Sequence, residues 1–304
     1  VSAPDSIRRE PFRILVPGID TARHLFGEDL GPEQSEHAFI CLPGLLETRE
    51  SFKDFCLSVA TEYRVFLLDW PGRGLSDRLA DPREYRMSRY LEDFGLFFAH
   101  IQGRLRAGER RGGGFGLFRQ TQPANIHLLG TSMGGLLAIF FARYKSEDIA
   151  SVVLNDVGCL LPWTGILGLM AGIGSTAKTS NLFGGGSRQL ADDMDIDPEL
   201  FRAVQKPGHL DLPHQTTLHG VDFGRAFSEV PVSLLVLKGG QSSILDEGSM
   251  ARLSACHPRT EMVTFSEAGH PVPYSPQVCQ TILRFCLAQN RPLPEALTQA
   301  AHTR

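Results

Sequence analysis

Apolar positions along this chain fall into two kinds of pattern. Short continuous runs alternate with longer stretches where apolar residues return at helical spacing. Phe12 to Val16 and Arg23 to Phe26 read as two strands of a hairpin around Pro17-Gly18-Ile19-Asp20, antiparallel starters at a sheet edge. Ala38 to Leu42, Val65 to Leu68, Asn125 to Leu129, Ile149 to Leu154, Val232 to Leu237 and Glu261 to Phe265 are short and mostly apolar, as buried strands are. Helices are predicted from near Glu50, over Tyr90 to Ile101, over Leu136 to Tyr144 and through Met250 and Leu253. A closing helix is opened by Ser275 as N-cap and Pro276 at the first helical position, with Val278, Ile282 and Phe285 along one face. Strands alternating with helices predict an α/β fold with a doubly wound, mostly parallel sheet. Arg104 to Gly114, rich in arginine and glycine, reads as a solvated, mobile loop at the sheet end remote from any ligand crevice.

One junction carries chemistry. Between the strand at Asn125 to Leu129 and the helix from Leu136 lies Gly130-Thr131-Ser132-Met133-Gly134-Gly135. A serine hydroxyl is a poor nucleophile unless it stands clear of the sheet where a base can reach it, and a sharp strand-to-helix turn provides that. Gly130 and Gly134 let strand and helix pack closely enough to make the turn. The same turn sets Ser132 at a helix N-terminus, where free N–H groups favour a developing oxyanion and the Met133 N–H is the first donor.

With these pieces in this order the chain resembles the α/β-hydrolases, from the strand at Ala38 to a late histidine. The family's His-Gly after the first parallel strand stands here as Pro43-Gly44, and its Asp-x-x-Gly-x-Gly-x-Ser turn is Asp69 to Ser76. The resemblance implies that the Leu45 N–H is the second oxyanion donor. It also implies a helical cap inserted late in the sheet. Residues 158–229 fill that position, between core segments 1–157 and 230–304. Within them, Leu160 to Met170 is apolar and broken by glycines, which suits the lining of an acyl or aromatic pocket or a core helix of the cap. Asn181 to Ser187, with Gly184-Gly185-Gly186, reads as a hinge or flexible loop.

The base and the acid follow from the same comparison. His270, in Ala268-Gly269-His270-Pro271 after the last strand, sits where the family keeps its base, to take the Ser132 proton and return it to the leaving group. The family's acid position, after Val236-Leu237, falls on Ser243, which has no carboxylate. Asp156, at the end of the neighbouring strand, and Asp246, further along the Ser243 loop, are the substitutes. Asp246 doubles as a natural N-cap for the following helix. A triad with no acid is the third option.

Composition narrows the partners. The 304 residues are 42% hydrophobic, enough for one large core. A net charge of -4 gives no basic footprint for nucleic acid or an anionic membrane surface. The six cysteines (Cys41, Cys56, Cys159, Cys256, Cys279, Cys286) are scattered and lack metal-ligand spacing, which suits reduced thiols in a cytoplasmic protein. No run is long enough to span a bilayer, and Val1 to Phe12 lacks the apolar core of a secretory signal. A chain starting on valine is compatible with removal of an upstream segment.

The expected function is hydrolysis of a small, fairly apolar carboxylic ester or related acyl substrate through an acyl-enzyme on Ser132, with no metal or organic cofactor. The resemblance leaves open C–C bond hydrolysis, thioester or amide cleavage and acyl transfer. It sets aside the family's dehalogenases and epoxide hydrolases, which carry aspartate where Ser132 stands. The competing expectation is a hydrolase-shaped binding protein or degenerate enzyme, suggested by the lost acid at Ser243.

Overall fold

A computed structural model describes residues 7–18, 21–111, 125–182 and 195–289. Eight strands form one sheet in the order β1-β2-β4-β3-β5-β6-β10-β11. They are β1 (Arg9–Val16), β2 (Arg23–Leu30), β3 (His37–Leu42), β4 (Arg64–Leu68), β5 (Asn125–Thr131), β6 (Ser151–Asn155), β10 (Ser233–Gly239) and β11 (Thr260–Phe265). The β1–β2 and β2–β4 pairs are antiparallel and the remaining neighbours are parallel, so the hairpin at the sheet edge is as the sequence predicts.

Period-two alternation sorts the strand side chains into two cores. In β3, Ala38, Ile40 and Leu42 face one side with Phe94, Phe98 and Phe141. Phe39 and Cys41 face the other, with Phe52, Phe55 and Ile282. Helices α2 (Met87–Arg111) and α3 (Met133–Ala142) belong to the first side, and α1 (Lys53–Val59) and α8 (Pro276–Leu287) to the second. Every residue of α3 is buried, which is why its sequence is apolar on all faces. In α8 the Ser275 side chain accepts the Val278 N–H, as the Ser-Pro start predicts.

Two expectations are corrected. Residues 104–111 are not a loop, because α2 continues to Arg111; residues 112–114 of the predicted loop lie outside the described residues. Leu105 is buried in the core, and Arg104 Nε donates to Asp29 Oδ2 at 3.0 Å. Asp29 is fully buried and also receives Arg64 and Arg8. Burial raises its pKa, but the three guanidiniums outweigh burial and hold it below the usual carboxylate range. The segment between β6 and β10 is also not purely helical. It contains α4 (Trp163–Leu182), α5 (Pro198–Ala203) and α6 (Gly224–Ser228), but β7 (Leu160–Pro162), β8 (Gln215–Thr216) and β9 (Gly220–Asp222) pair into a second sheet. Gly220 turns that sheet at φ 159, where a Cβ would meet the Leu161 carbonyl oxygen at 2.0 Å. The run Gly184-Gly185-Gly186 lies outside the described residues.

A buried histidine beside a half-buried one predicts acid sensitivity. His127 is fully buried, with Nδ1 2.8 Å from Ser151 Oγ and Nε2 2.9 Å from His37 Nδ1. Burial, and then the neighbouring His37, push His127 down to about 3. An unfolded histidine protonates near 6.5, so between these values the unfolded state holds the extra proton and acid favours unfolding. Unfolding free energy is expected to fall with pH below about 6.5, His127 contributing up to about 1.4 kcal/mol per pH unit. Denaturant titrations at pH 7 and pH 5 check this: His127→Gln is expected to flatten the slope. Wild-type stability that does not change over that window contradicts it.

Candidate active site

The chain reverses direction across the sheet between β3 and β5: β4 lies on one side of β3, and β5 and β6 follow on the other. Loops leaving the C-terminal ends of β3 and β5 therefore border a crevice, where open α/β sheets bind ligands. Pro43 to Glu47 leave β3 there, and Ser132 leaves β5.

Ser132 has φ 49 and ψ -114, a left-handed conformation that non-glycine residues rarely adopt. Its N–H donates to the Asn155 carbonyl at 3.0 Å, while its own carbonyl accepts the Gly135 and Leu136 N–H groups as α3 begins. Both glycine positions are needed. A Cβ on Gly130 would lie 2.5 Å from the Gly134 carbonyl carbon, and a Cβ on Gly134 would lie 2.0 Å from the Leu42 carbonyl oxygen. Gly134→Ala is therefore expected to destabilise the fold by about 3 kcal/mol, because backbone must move to admit the methyl. Thermal unfolding checks this, and an unchanged midpoint contradicts the packing argument.

His270 bridges serine and carboxylate. Its Nε2 lies 3.1 Å from Ser132 Oγ, and its Nδ1 lies 2.8 Å from Asp156 Oδ2. An ionised carboxylate only accepts, so Nδ1 donates, which leaves the Nε2 lone pair facing the serine hydroxyl. Asp156 is fully buried at φ 56, and its other oxygen accepts the Gly239 N–H at 2.9 Å. Its N–H is bound by the Leu237 carbonyl at 2.8 Å. The carboxylate is thus fixed from the strand beside it.

The other sequence candidates fall elsewhere. Asp246 caps α7 (Glu247–Cys256), its Oδ1 accepting the Ser249 N–H at 2.7 Å, so of the two carboxylates it is Asp156 that meets His270. Ser243 lies on the loop after β10, its carbonyl oxygen 2.5 Å from where a Gly165 Cβ would sit. Met133 opens α3. Leu45 and Met133 both border the Ser132 cavity.

Three supporting residues carried no sequence signal. Asn155 holds the histidine loop, donating Nδ2 to the Val272 carbonyl at 2.8 Å and accepting the Val272 N–H at 2.9 Å. Arg73, fully buried, donates Nε to the Leu45 carbonyl at 2.8 Å. Glu47 accepts the Gly44 N–H at 2.8 Å. Burial raises the Glu47 pKa, partly opposed by that N–H and by His270. With Trp70 Nε1 donating to the Pro43 carbonyl at 2.9 Å, the turn after β3 is pinned along its length. Asn155 stands beside Asp156 and Glu47 lies in the turn itself, but neither spacing announces a role.

A cavity of about 430 Å³ opens over Ser132. Its wall is mainly apolar, with Leu136, Val157, Leu161, Trp163, Ile166 and Val221 among the lining residues and no Asp or Glu lining it among the described residues. The stretch Leu160 to Met170 thus contributes to the pocket wall, while Pro162 is also buried.

A family model for the alpha/beta hydrolase family matches residues 39–279. Among curated relatives, the 3-hydroxybutyrate-oligomer hydrolase of Cupriavidus necator is 23% identical over 280 residues, covering 82% of this chain and 86% of the relative. The 2-hydroxy-6-oxononadienedioate/2-hydroxy-6-oxononatrienedioate hydrolase of Cupriavidus pinatubonensis is 26% identical over 233 residues, covering 70% of this chain and 71% of the relative. Among solved structures, an alpha/beta hydrolase from Novosphingobium aromaticivorans superposes with a TM-score of 0.65 at 23% identity, covering 91% of this chain and 98% of that one. A thermophilic esterase from Thermogutta terrifontis gives 0.62 at 20% identity, covering 91% and 97%. The match runs from the first parallel strand past the histidine loop, over a sheet of the same build, and so the chain belongs to the alpha/beta hydrolase family.

Proposed function

We propose that the protein hydrolyses small, fairly apolar carboxylic esters through an acyl-enzyme on Ser132. The observation that carries this is the unbroken relay from Asp156 through His270 to Ser132, at 2.8 Å and 3.1 Å, beneath an apolar cavity. As Ser132 Oγ attacks the ester carbonyl carbon, His270 Nε2 takes its proton and Asp156 stabilises the imidazolium. The carbonyl electrons move onto oxygen, and the Leu45 and Met133 N–H groups receive the oxyanion. Collapse breaks the C–O bond, and the leaving alkoxide takes the proton from His270. Water then attacks the acyl carbon with His270 again as base, the Oγ–acyl bond breaks, Ser132 Oγ takes the proton back from His270, and the acid departs. No step draws on a metal or organic cofactor.

Residues 158–229 act in this reading as a cap that supplies much of the pocket wall. Both curated relatives named above are hydrolases, one of 3-hydroxybutyrate oligomers and one of 2-hydroxy-6-oxononadienedioate or 2-hydroxy-6-oxononatrienedioate, which supports hydrolysis as the reaction class. The competing reading, a binding protein of the same shape, drew on the missing acid at Ser243, and Asp156 against His270 supports turnover instead. No helix among the described residues is long and apolar enough to cross a membrane. All six cysteines are free thiols, which fits a reducing compartment, and the cytoplasm is part of this proposal.

Turnover of a panel of acyl nitrophenyl esters from acetyl to octanoyl tests the proposal. Saturable hydrolysis that favours short to medium chains supports it. Absence of turnover on every ester, with ligand-induced thermal shifts alone, overturns it in favour of the binding protein.

A further inference from the structure

Just after β3 the chain makes a tight turn from Gly44 to Glu47, closed by the Glu47 N–H on the Gly44 carbonyl at 3.4 Å. The peptides on either side of Leu45 are held by neighbours. The one joining Pro43 to Gly44 is held at both ends, its carbonyl by Trp70 Nε1 at 2.9 Å and its N–H by Glu47 Oε2 at 2.8 Å. The one joining Leu45 to Leu46 has its carbonyl on Arg73 Nε at 2.8 Å. Between them lies the peptide joining Gly44 to Leu45, whose carbonyl is the one that closes the turn.

A trans peptide points its carbonyl and its N–H in opposite directions. With the Gly44 carbonyl turned in towards the Glu47 N–H, the Leu45 N–H is turned outwards, and Leu45 borders the cavity over Ser132. No group among the described residues accepts from that N–H. A donor held rigid and left open needs no reorganisation when negative charge develops on a ligand oxygen. Glu47 makes two of these bonds, one through its backbone and one through its carboxylate. The carboxylate packs on Gly44, where a Cβ would come to 3.0 Å from Oε2, and the Ser51 hydroxyl donates to the same oxygen at 3.4 Å. Trp70 and Arg73 are fully buried in the core, whereas Glu47 is half-buried and can be exchanged without opening it.

We infer that Glu47 is a positioning residue for the oxyanion site: its carboxylate anchors the Gly44 N–H, so that the next N–H along the chain, that of Leu45, stays aimed at the carbonyl oxygen of a substrate on Ser132. The effect falls on the transition state. A ground-state carbonyl oxygen carries little charge and gains little from a fixed donor, whereas the oxyanion gains most from donors already in place. What the Gly44 N–H requires is an acceptor, and a neutral amide oxygen supplies one as a carboxylate does. The bond, rather than the charge on Glu47, is therefore the operative feature. This rests on the esterase reading above.

Glu47→Ala removes the acceptor and Glu47→Gln keeps it. Acylation of Ser132 by nitrophenyl butyrate, followed by stopped flow, gives the rate constant at saturation and the dissociation constant separately. Glu47→Ala is expected to lower the rate constant about thirtyfold, less than the hundredfold or more that outright loss of an oxyanion donor costs, and to leave the dissociation constant within about threefold. Glu47→Gln is expected to stay within about threefold of wild type in both. An alkyl trifluoromethyl ketone forms a hemiketal oxyanion on Ser132 that mimics the intermediate, and its affinity is expected to fall by the same factor as acylation in each variant. If Glu47→Ala does not fold, Glu47→Met fills the space without an oxygen acceptor and carries the same expectation. Three results overturn the inference: a rate constant within about threefold of wild type in the variant lacking the acceptor, a loss that falls on the dissociation constant instead, or a glutamine variant as slow as the alanine one. Fluorine NMR of the ketone adduct separates the inference from the esterase reading. A wild type that hydrolyses no ester and forms no hemiketal ends both. If the hemiketal forms without ester hydrolysis, the esterase reading fails alone, and ketone affinity about thirtyfold weaker in Glu47→Ala but not in Glu47→Gln still supports the role of Glu47, while equal affinity removes it.

Discussion

Ser132→Ala is expected to lower kcat for nitrophenyl ester hydrolysis by about 10⁶-fold, the scale on which removal of a serine nucleophile abolishes a triad's contribution. The side chain's hydrogen bond is the one with His270, so alanine removes the reacting atom and little else. Residual rate above the uncatalysed reaction is expected from the two proposed oxyanion donors, the Leu45 and Met133 N–H groups, and the cavity, which the substitution leaves in place. Single-turnover kinetics check the assignment. The acyl-enzyme burst is expected to vanish in the variant, and the thermal midpoint is expected to stay close to the wild-type value. A variant that keeps more than about a tenth of the activity would require another nucleophile.

Asp156→Asn carries the second large effect, a fall of about 10⁴-fold in kcat, and the direction follows from which atoms are held. Asp156 Oδ1 is bound by the Gly239 N–H, so the carbonyl oxygen of an asparagine stays there and its NH₂ group turns to His270. Nδ1 must then accept, the ring proton moves to Nε2, and Nε2 can no longer take the proton from Ser132. Asp246→Asn is the control. Asparagine still caps a helix well, and Asp246 is committed to Ser249, so activity is expected to stay within about twofold of wild type. Larger loss at Asp246 than at Asp156 would invert the assignment of the acid.

What the sequence made legible was local. The turn at Ser132 could be read because its glycines, strand and helix are neighbours in the chain, and the structure shows the close approaches those glycines permit. The choice between Asp156 and Asp246 was not local. It depends on where a loop 114 residues further along the chain brings His270, and on the Asn155 clamp that holds that loop. Both carboxylates follow a strand, and spacing alone gave the Ser243 loop a claim equal in kind. The length of α2 was missed for a similar reason. Arg104 looks like a solvated charge until its partner Asp29 is known, 75 residues earlier. The strands β7 to β9 have two or three residues each, too few for an alternating pattern to register.

Labelling of the wild-type protein with a fluorophosphonate, followed by intact-mass and peptide mapping, tests the central claim most directly. The account predicts a single adduct, carried on Ser132, forming far more slowly in His270→Ala. No adduct, or one on a different residue, would contradict it.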